Sequence, residues 1–417
     1  MTKNNNKPQI RFKGFNNAWE QRKLGDIADV TKLAGFEFTE HVVYSDTGNI
    51  IALRGLNIKN GQLVLDDVKY IDESNFSKLG RSKLFINDIM FTYVGTVGEV
   101  AVINENNRFY LAPNVSRIRV QSKDSPTFIS HYMRSEQFYN SVIFPLIATS
   151  SQPALSMENI RKFEINLPSN REEQDAISSF LNKFDHFITL HQRKLEKLQK
   201  IKKFCLEKFF PKNGSNFPEI RFKGFNNAWE QCEFGNLVLI ERGGSPRPIE
   251  NFITDNPNGL NWIKIGDAPK YGNYISKTSE KIKSSGLSKT RKVSPGDLIL
   301  SNSMSFGKPY IMAIEGCIHD GWLLIRNNKS FFDLIFLCHM LGTEKMFTQY
   351  KSLAAGSTVN NLNKDLVSKA SVSTPNILEQ KKIGGIFECL DNLITLHQRK
   401  LEKLQKIKKF CLEKMFV

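Results

Sequence analysis

Apolar residues return at alternating steps of four and three along one stretch of this chain: Ile177, Leu181, Phe184, Ile188, Leu195, Leu198, Cys205 and Phe209. His191 and Lys202 occupy the two positions where the pattern turns polar. That spacing is the a/d seam of a coiled coil. No Pro or Gly interrupts the stretch between Arg171 and Phe210, so one helix is expected, spanning about 50–60 Å at 1.5 Å per residue. Pro211-Lys-Asn-Gly-Ser-Asn-Phe-Pro218 then ends it as a linker. The same seam returns as Ile383, Phe387, Leu390, Ile394, Leu401, Leu404, Cys411 and Met415, with His397 and Lys408 at the polar positions. Inside it, Ile188–Lys208 (ITLHQRKLEKLQKIKKFCLEK) recurs letter for letter as Ile394–Lys414.

A second repeat frames the first. Pro8–Gln21 (PQIRFKGFNNAWEQ) is matched at Pro218–Gln231 with a single change, Gln9 against Glu219. Weaker echoes follow in the same order. Lys83–Met90 resembles Lys292–Leu300, Ser150–Pro168 resembles Ser357–Pro375, and Pro168–Gln174 matches Pro375–Gln380 with one residue fewer. The plan is an opening repeat (1–21), a variable module (22–170), a helix (171–210), a linker with the second opening repeat (211–231), a second variable module (232–376) and a closing helix (377–417).

Two helices with one seam are expected to pair. The intervening module leaves room for the chain to reverse, so an antiparallel pair related by a pseudo-two-fold axis gives each helix the same environment. The seam residues Ile188, Leu195, Leu198, Ile394, Leu401 and Leu404 would carry it, with the two modules at opposite ends of the rod. The modules read as mixed structure. Short β-rich runs occur at Ile50–Leu53, Asp88–Val94, Glu99–Ile103 and Ser116–Val120, and again at Asn261–Ile265, Asp297–Leu300 and Trp322–Ile325. Helical patterns follow at Pro126–Asn140 and Phe331–Tyr350. The fold class is therefore α+β: two globular modules on a pair of long helices.

Charge sharpens this picture. The net charge is +16, yet segment 22–170 holds 16 basic and 16 acidic residues, and segment 232–376 holds 17 and 12. Each copy of the repeated helix segment has seven basic and two acidic residues. The excess thus sits mainly on the helices, where it fits nucleic acid, a partner or plain solvation equally. No run of eighteen apolar residues suggests a membrane span, and the first residues have no apolar signal core, so a cytoplasmic, non-membrane protein is expected. Six scattered cysteines form no C-x-x-C pair and are expected to be reduced.

Catalytic patterns are missing. There is no G-x-x-x-x-G-K-[ST], Gly307-Lys308 being followed by Pro309, and no G-x-G-x-x-G after a strand. Asn256-Pro-Asn-Gly259 lacks the aromatic that stacks on a flipped base. No Pro-Asp nuclease dipeptide and no H-E-x-x-H occur. Neither a catalytic residue nor a metal ligand is assigned. What remains fits recognition, with basic, amide and aromatic residues interleaved. In the first module the candidates for DNA contact are Arg54, Asn57, Lys59, Lys69, Tyr70, Arg81, Lys83, Tyr93, Ser151 and Gln152. In the second they are Lys264, Lys281, Lys283, Lys289, Arg291, Lys292, Asn302, Lys308, Ser357 and Thr358.

The duplicated plan resembles the specificity subunit of type I restriction-modification systems. The resemblance rests on I-R-F-K-G-F-x-x-A-W-E at Ile10–Glu20 and Ile220–Glu230. It also rests on Pro168–Gln174 and Pro375–Gln380, which end in Glu-Gln, and on the K-L-E-K-L-Q-K-I-K-K segments closing at Phe209 and Phe416. It implies that each module is a target recognition domain reading one half of a split, asymmetric double-stranded DNA sequence. It implies further that the helices set the spacer and dock two methyltransferase subunits, to which restriction-translocation subunits add. Methyl donor, ATP and magnesium would then belong to those partners, and this chain would hold no cofactor. Lys202 and Lys408 interrupt the seam. The competing readings are a two-headed architectural DNA-binding protein without enzyme partners and, disfavoured by the missing motifs, a single-chain methyltransferase-nuclease.

Overall fold

The computed structural model describes residues 7–33, 35, 40–147, 153–212, 214–302, 306–354 and 362–417. The chain divides into two compact units, Met1–Leu190 with Leu401–Val417, and His191–Lys400. The division runs through both long helices, Arg171–Lys208 and Ile377–Lys414, so each unit owns a stretch of each helix.

In the first unit an antiparallel sheet has the order Ala28–Lys32, Val115–Val120, Ile89–Thr92, Val100–Val102. A smaller sheet sets Ile51–Leu53 between Lys69–Tyr70 and, in parallel, Phe109–Leu111. Ile89–Thr92 is apolar at successive positions because both of its faces are covered. Ile89 and Phe91 join the core that contains Trp19, Phe128 and Phe163, while Met90 joins the core around Leu53 and Leu111. The second unit repeats this. Leu298 and Leu300 face the core with Trp229 and Phe336, whereas Ile299 faces the core with Tyr310 and Trp322. Its larger sheet runs Leu239–Arg242, Trp322–Arg326, Leu298–Ser301, Pro309–Met312, Tyr274–Ile275.

The expected β-runs all contain strands. The expected helix Pro126–Asn140 is broken, however: Pro126–Met133 ends at Arg134, and the Ser135 hydroxyl accepts from Phe138 N to cap a new turn. Likewise Phe331–Tyr350 resolves into Leu334–Leu341 and Glu344–Ala354. Each module is closed by a two-stranded sheet too short to read from pattern, Glu20–Lys23 with Glu164–Leu167 and Glu230–Glu233 with Ser371–Thr374.

The repeated motifs turn out to be joints. Arg11 donates to both oxygens of Glu173 at 2.6 and 2.7 Å, and Arg221 does the same to Glu379 at 2.7 and 2.8 Å. Gln174, next along, accepts from Ser125 N and donates to Asp124 and to the Pro168 carbonyl. Gln380 accepts from Asp333 N and donates to the Pro375 carbonyl. The Glu-Gln pairs thus bind an opening repeat with one side chain and the cap of a module helix with the next. Each opening repeat also meets a helix end within its own unit. Ile10 N donates to the Lys414 carbonyl with Trp19 edge-on to Phe416, and Ile220 N donates to the Lys208 carbonyl with Trp229 edge-on to Phe210.

The helices pair antiparallel in both units. In the second, His191 Nδ1 lies 2.8 Å from His397 Nδ1 and Lys202 Nζ lies 2.5 Å from Asp391, so advance along one helix is retreat along the other. In the first unit Lys408 pairs with Asp185. Leu195, Ile394 and Leu401 are buried, and Ile188, Leu198 and Leu404 half-buried. The lysines do not end the seam. Cys205 and Phe209 beyond Lys202, and Cys411 and Met415 beyond Lys408, are buried. All six cysteines are free thiols. Among the described residues no helix is long and apolar enough to cross a membrane.

Candidate nucleic-acid interface

Most of the basic residues picked from the sequence are engaged within their own module. Arg54 donates to the carbonyl and carboxylate of Asp67, both at 2.9 Å. Lys69 pairs with Asp46, Lys264 with Glu280 at 2.5 Å, Arg291 with Glu241 and Lys292 with Glu315. Lys281 and Lys283 donate to the Pro257 and Asn251 carbonyls. Lys289 lies over Phe252, Lys83 over Phe85 and Lys308 over Tyr310. Arg81 reaches Thr31, Lys59 is exposed and Tyr70 is half-buried in its strand. Surface pairs of this kind are weak and hold the exposed cations only loosely.

Asn57 needs correcting. It is 0% exposed. Its Nδ2 donates to the Val64 and Asp67 carbonyls and its Oδ1 accepts from Arg54 N. No polar atom is left for a base edge, so Asn57 fixes a turn. Asp267 does the same in the second module, accepting from Lys264 N and Ser279 N. Ser151, Gln152, Ser357 and Thr358 lie outside the described residues.

Two other candidates are brought to one end of the larger sheet in each module. In the first, Tyr93 follows the strand Ile89–Thr92; its N donates to the Asn114 carbonyl and its carbonyl accepts from Leu155 N. Lys32 sits 5.5 Å over the Tyr93 ring. In the second, Asn302 follows Leu298–Ser301; its N donates to the Gly321 carbonyl and its carbonyl accepts from Leu362 N. The Asn302 amide donates to the Asp320 carbonyl at 2.8 Å. Tyr93 and Asn302 thus hold one structural position, which gathers three loops in each module.

Around Asn302 those loops carry groups that sequence reasoning missed. Ser245 Oγ donates to Asp320 Oδ1 at 3.0 Å, His319 Nε2 lies 3.0 Å from the same oxygen, and the exposed Arg247 approaches Asp320 at 3.4 Å. Burial works against the Asp320 charge, but His319, Ser245 and Arg247 hold its carboxyl below the ordinary range. The site offers a carboxylate acceptor, an imidazole, a hydroxyl and a guanidinium side by side. That set can read base edges, with the carboxylate matched to a cytosine amino group and the guanidinium to guanine. The signal was available in Glu241-Arg-Gly-Gly-Ser-Pro-Arg-Pro248, where a strand ends at one arginine and a Gly/Pro loop carries another. Its counterpart in the first module presents an aromatic ring, Lys32 and the left-handed Asn114 (φ 71°) instead.

The frame beneath is shared. Arg119 donates to both oxygens of Asp88 at 2.7 Å, and Asp88 accepts from Phe85 N. Arg326 meets Asp297 at 3.5 Å, and Asp297 accepts from Ser294 N. The echo between Lys83–Met90 and Lys292–Leu300 is therefore this pinned turn.

The chain matches, at residues 16–200 and again at 226–406, the family described as type I restriction modification DNA specificity domain. It is 24% identical over 405 residues to the putative type I restriction enzyme MjaX specificity subunit of Methanocaldococcus jannaschii, covering 94% of this chain and 91% of that one. It is 22% identical over 351 residues to the MjaVIII specificity subunit of the same organism, covering 81% and 80%. Among solved structures, the type I restriction-modification S subunit from M. genitalium superposes with a TM-score of 0.67 at 15% identity, over 99% of both chains.

Proposed function

The chain belongs to the type I restriction modification DNA specificity family, and we propose that it is the target-reading subunit of a type I restriction-modification complex. Each module reads one half of a split, asymmetric DNA target, and the paired helices set the spacer between the halves. The observation that carries this reading is the position shared by Tyr93 and Asn302. A common frame, pinned by Arg119–Asp88 and Arg326–Asp297, presents different loop chemistry in the two modules. Two different readers on one repeated scaffold fit an asymmetric bipartite site.

The chain itself transfers nothing; it supplies recognition. Two methyltransferase subunits dock on the helices, restriction-translocation subunits add to them, and methyl donor, ATP and magnesium are held by those partners. The complex works in the cytoplasm, where its DNA is. The helix surfaces support the docking. Phe187, Leu190, Ile201 and Phe204 on the first helix are exposed, and so are Leu393, Leu396 and Phe410 on the second. Phe187, Leu190 and Phe204 correspond through the repeat to Leu393, Leu396 and Phe410, and all lie off the seam. This stripe, apolar at its ends and basic at Lys194 and Lys197, recurs on both helices and suits matching surfaces of two equivalent partners.

Single-molecule methylome sequencing of host cells with and without this chain tests the reading. A gapped, asymmetric motif that is methylated only when the chain is present is expected. Methylation that persists unchanged without it, or a motif with no gap, overturns it.

A further inference from the structure

Asp185 and Asp391 occupy the same place in the two repeats, three residues before the identical segments, and each joins three elements of its own unit. In the first unit Asp185 takes Lys408 from the second helix and Arg134 Nη1, at 3.1 Å, from the end of the module helix. Arg134 also donates through Nη2 to the Asn60 carbonyl at 2.7 Å, and Gln62 donates to Thr189 at 2.6 Å. The turn between them must close over the guanidinium. Gly61 has φ +83°, and a Cβ there would lie 1.9 Å from Arg134 Cζ.

The second unit reaches the same arrangement with other residues. Asp391 takes Lys202 Nζ at 2.5 Å from the first helix and His339 Nε2 at 2.9 Å from the module helix. It also accepts from Asn273 at 2.9 Å, in a loop where Gly272 (φ +81°) closes on Thr395. Module helix, module loop and both long helices thus gather around one half-buried carboxylate in each unit. A lysine in an apolar seam weakens helix pairing, and such residues persist where they fix geometry.

We propose that Asp185 and Asp391 are positioning residues that lock each module to its stretch of the helix pair at one angle. The lock sets how strictly the complex measures the DNA spacer. The role needs no DNA contact from either carboxylate, whose partners are all within the chain. One base pair more or less moves a half-site by about 3.4 Å and turns it by about a tenth of a helical turn, which a locked module rejects and a rocking one accepts. This rests on the half-site reading above.

The test is methylome sequencing of cells carrying the whole complex with Asp185→Asn, Asp391→Asn or Lys408→Met. Lys408→Met guards against misfolding, because Arg134 still partners Asp185 and the seam gains an apolar side chain. The expected result is unchanged half-site sequences with methylation at spacers one base pair longer or shorter rising at least tenfold relative to native sites. A proportional loss at all sites, an altered half-site base, or native methylation with unchanged spacer stringency each overturns the lock. A wild-type complex that methylates no gapped motif refutes the function itself, and so is told apart from failure of the lock.

Discussion

Arg11 grips both oxygens of Glu173 although 162 residues separate them, and the pair is nearly closed to solvent, the carboxylate side chain 2% exposed. Removing one partner leaves a charge buried without compensation, which costs about 3–5 kcal/mol. Glu173→Leu is therefore expected to destabilise the first unit by that order, whereas Glu173→Gln, which keeps a neutral acceptor, costs less. Hydrogen exchange resolved by peptide checks this, with protection lost in the first unit and retained around Arg221–Glu379 in the second.

Recognition by the second module is predicted to centre on the Asn302 loops. Arg247→Gln should weaken specific DNA binding by about 1–3 kcal/mol and relax one position of one half-site. Lys283→Gln, whose ammonium is tied to the Asn251 carbonyl, should leave the target sequence unchanged. Binding of the assembled complex to a library randomised in both half-sites measures both. Relaxation in the other half-site would contradict the assignment.

Acid should loosen the first unit through His131. Burial and the neighbouring Arg134 push this imidazole down to about 3 from an ordinary 6.5. As pH falls from 6.5 toward 3 the unfolded chain takes up a proton that the folded unit refuses, so stability is lost on acidification. The slope approaches about 1.4 kcal/mol per pH unit within that window. Thermal unfolding between pH 7 and pH 4 should show a steeper fall for the native chain than for His131→Gln.

Docking is predicted to depend on the exposed stripe. Phe204 and Phe410 are each 50% exposed, so Phe204→Asp and Phe410→Asp should leave folding within about 0.5 kcal/mol. Each is expected to release one methyltransferase subunit, and the double variant both. Native mass spectrometry of the co-expressed complex counts them. Full retention by the double variant would place the docking surface elsewhere.

The helices and the repeated plan were legible because a seam of alternating four and three steps survives any single substitution, and because identity over Ile188–Lys208 has no local explanation. The polar joints were not. Lys202 and Lys408 read as interruptions, since their partners Asp391 and Asp185 lie on the other helix and only antiparallel pairing brings them close. Asn57 failed for the opposite reason. An amide beside an arginine looks like a base reader until burial shows it satisfied by the Val64 and Asp67 carbonyls. Ser245 and Arg247 stand together in one loop, but the Asp320 they meet lies more than 70 residues on, so only the fold shows the cluster.

The contact between His191 and His397 sets a rule for inheritance. Each imidazole meets its own copy, 2.8 Å away, and burial together with Lys194 and Lys400 holds both rings below the usual imidazole range. If gene conversion keeps the two copies alike, any replacement at this crossing arrives on both sides at once and has to be compatible with itself. Lys202 and Lys408 also lie inside the copied segment, but their partners Asp391 and Asp185 lie outside it. A lysine change copied to both segments would break both joints at once, whereas a change in one aspartate breaks only its own.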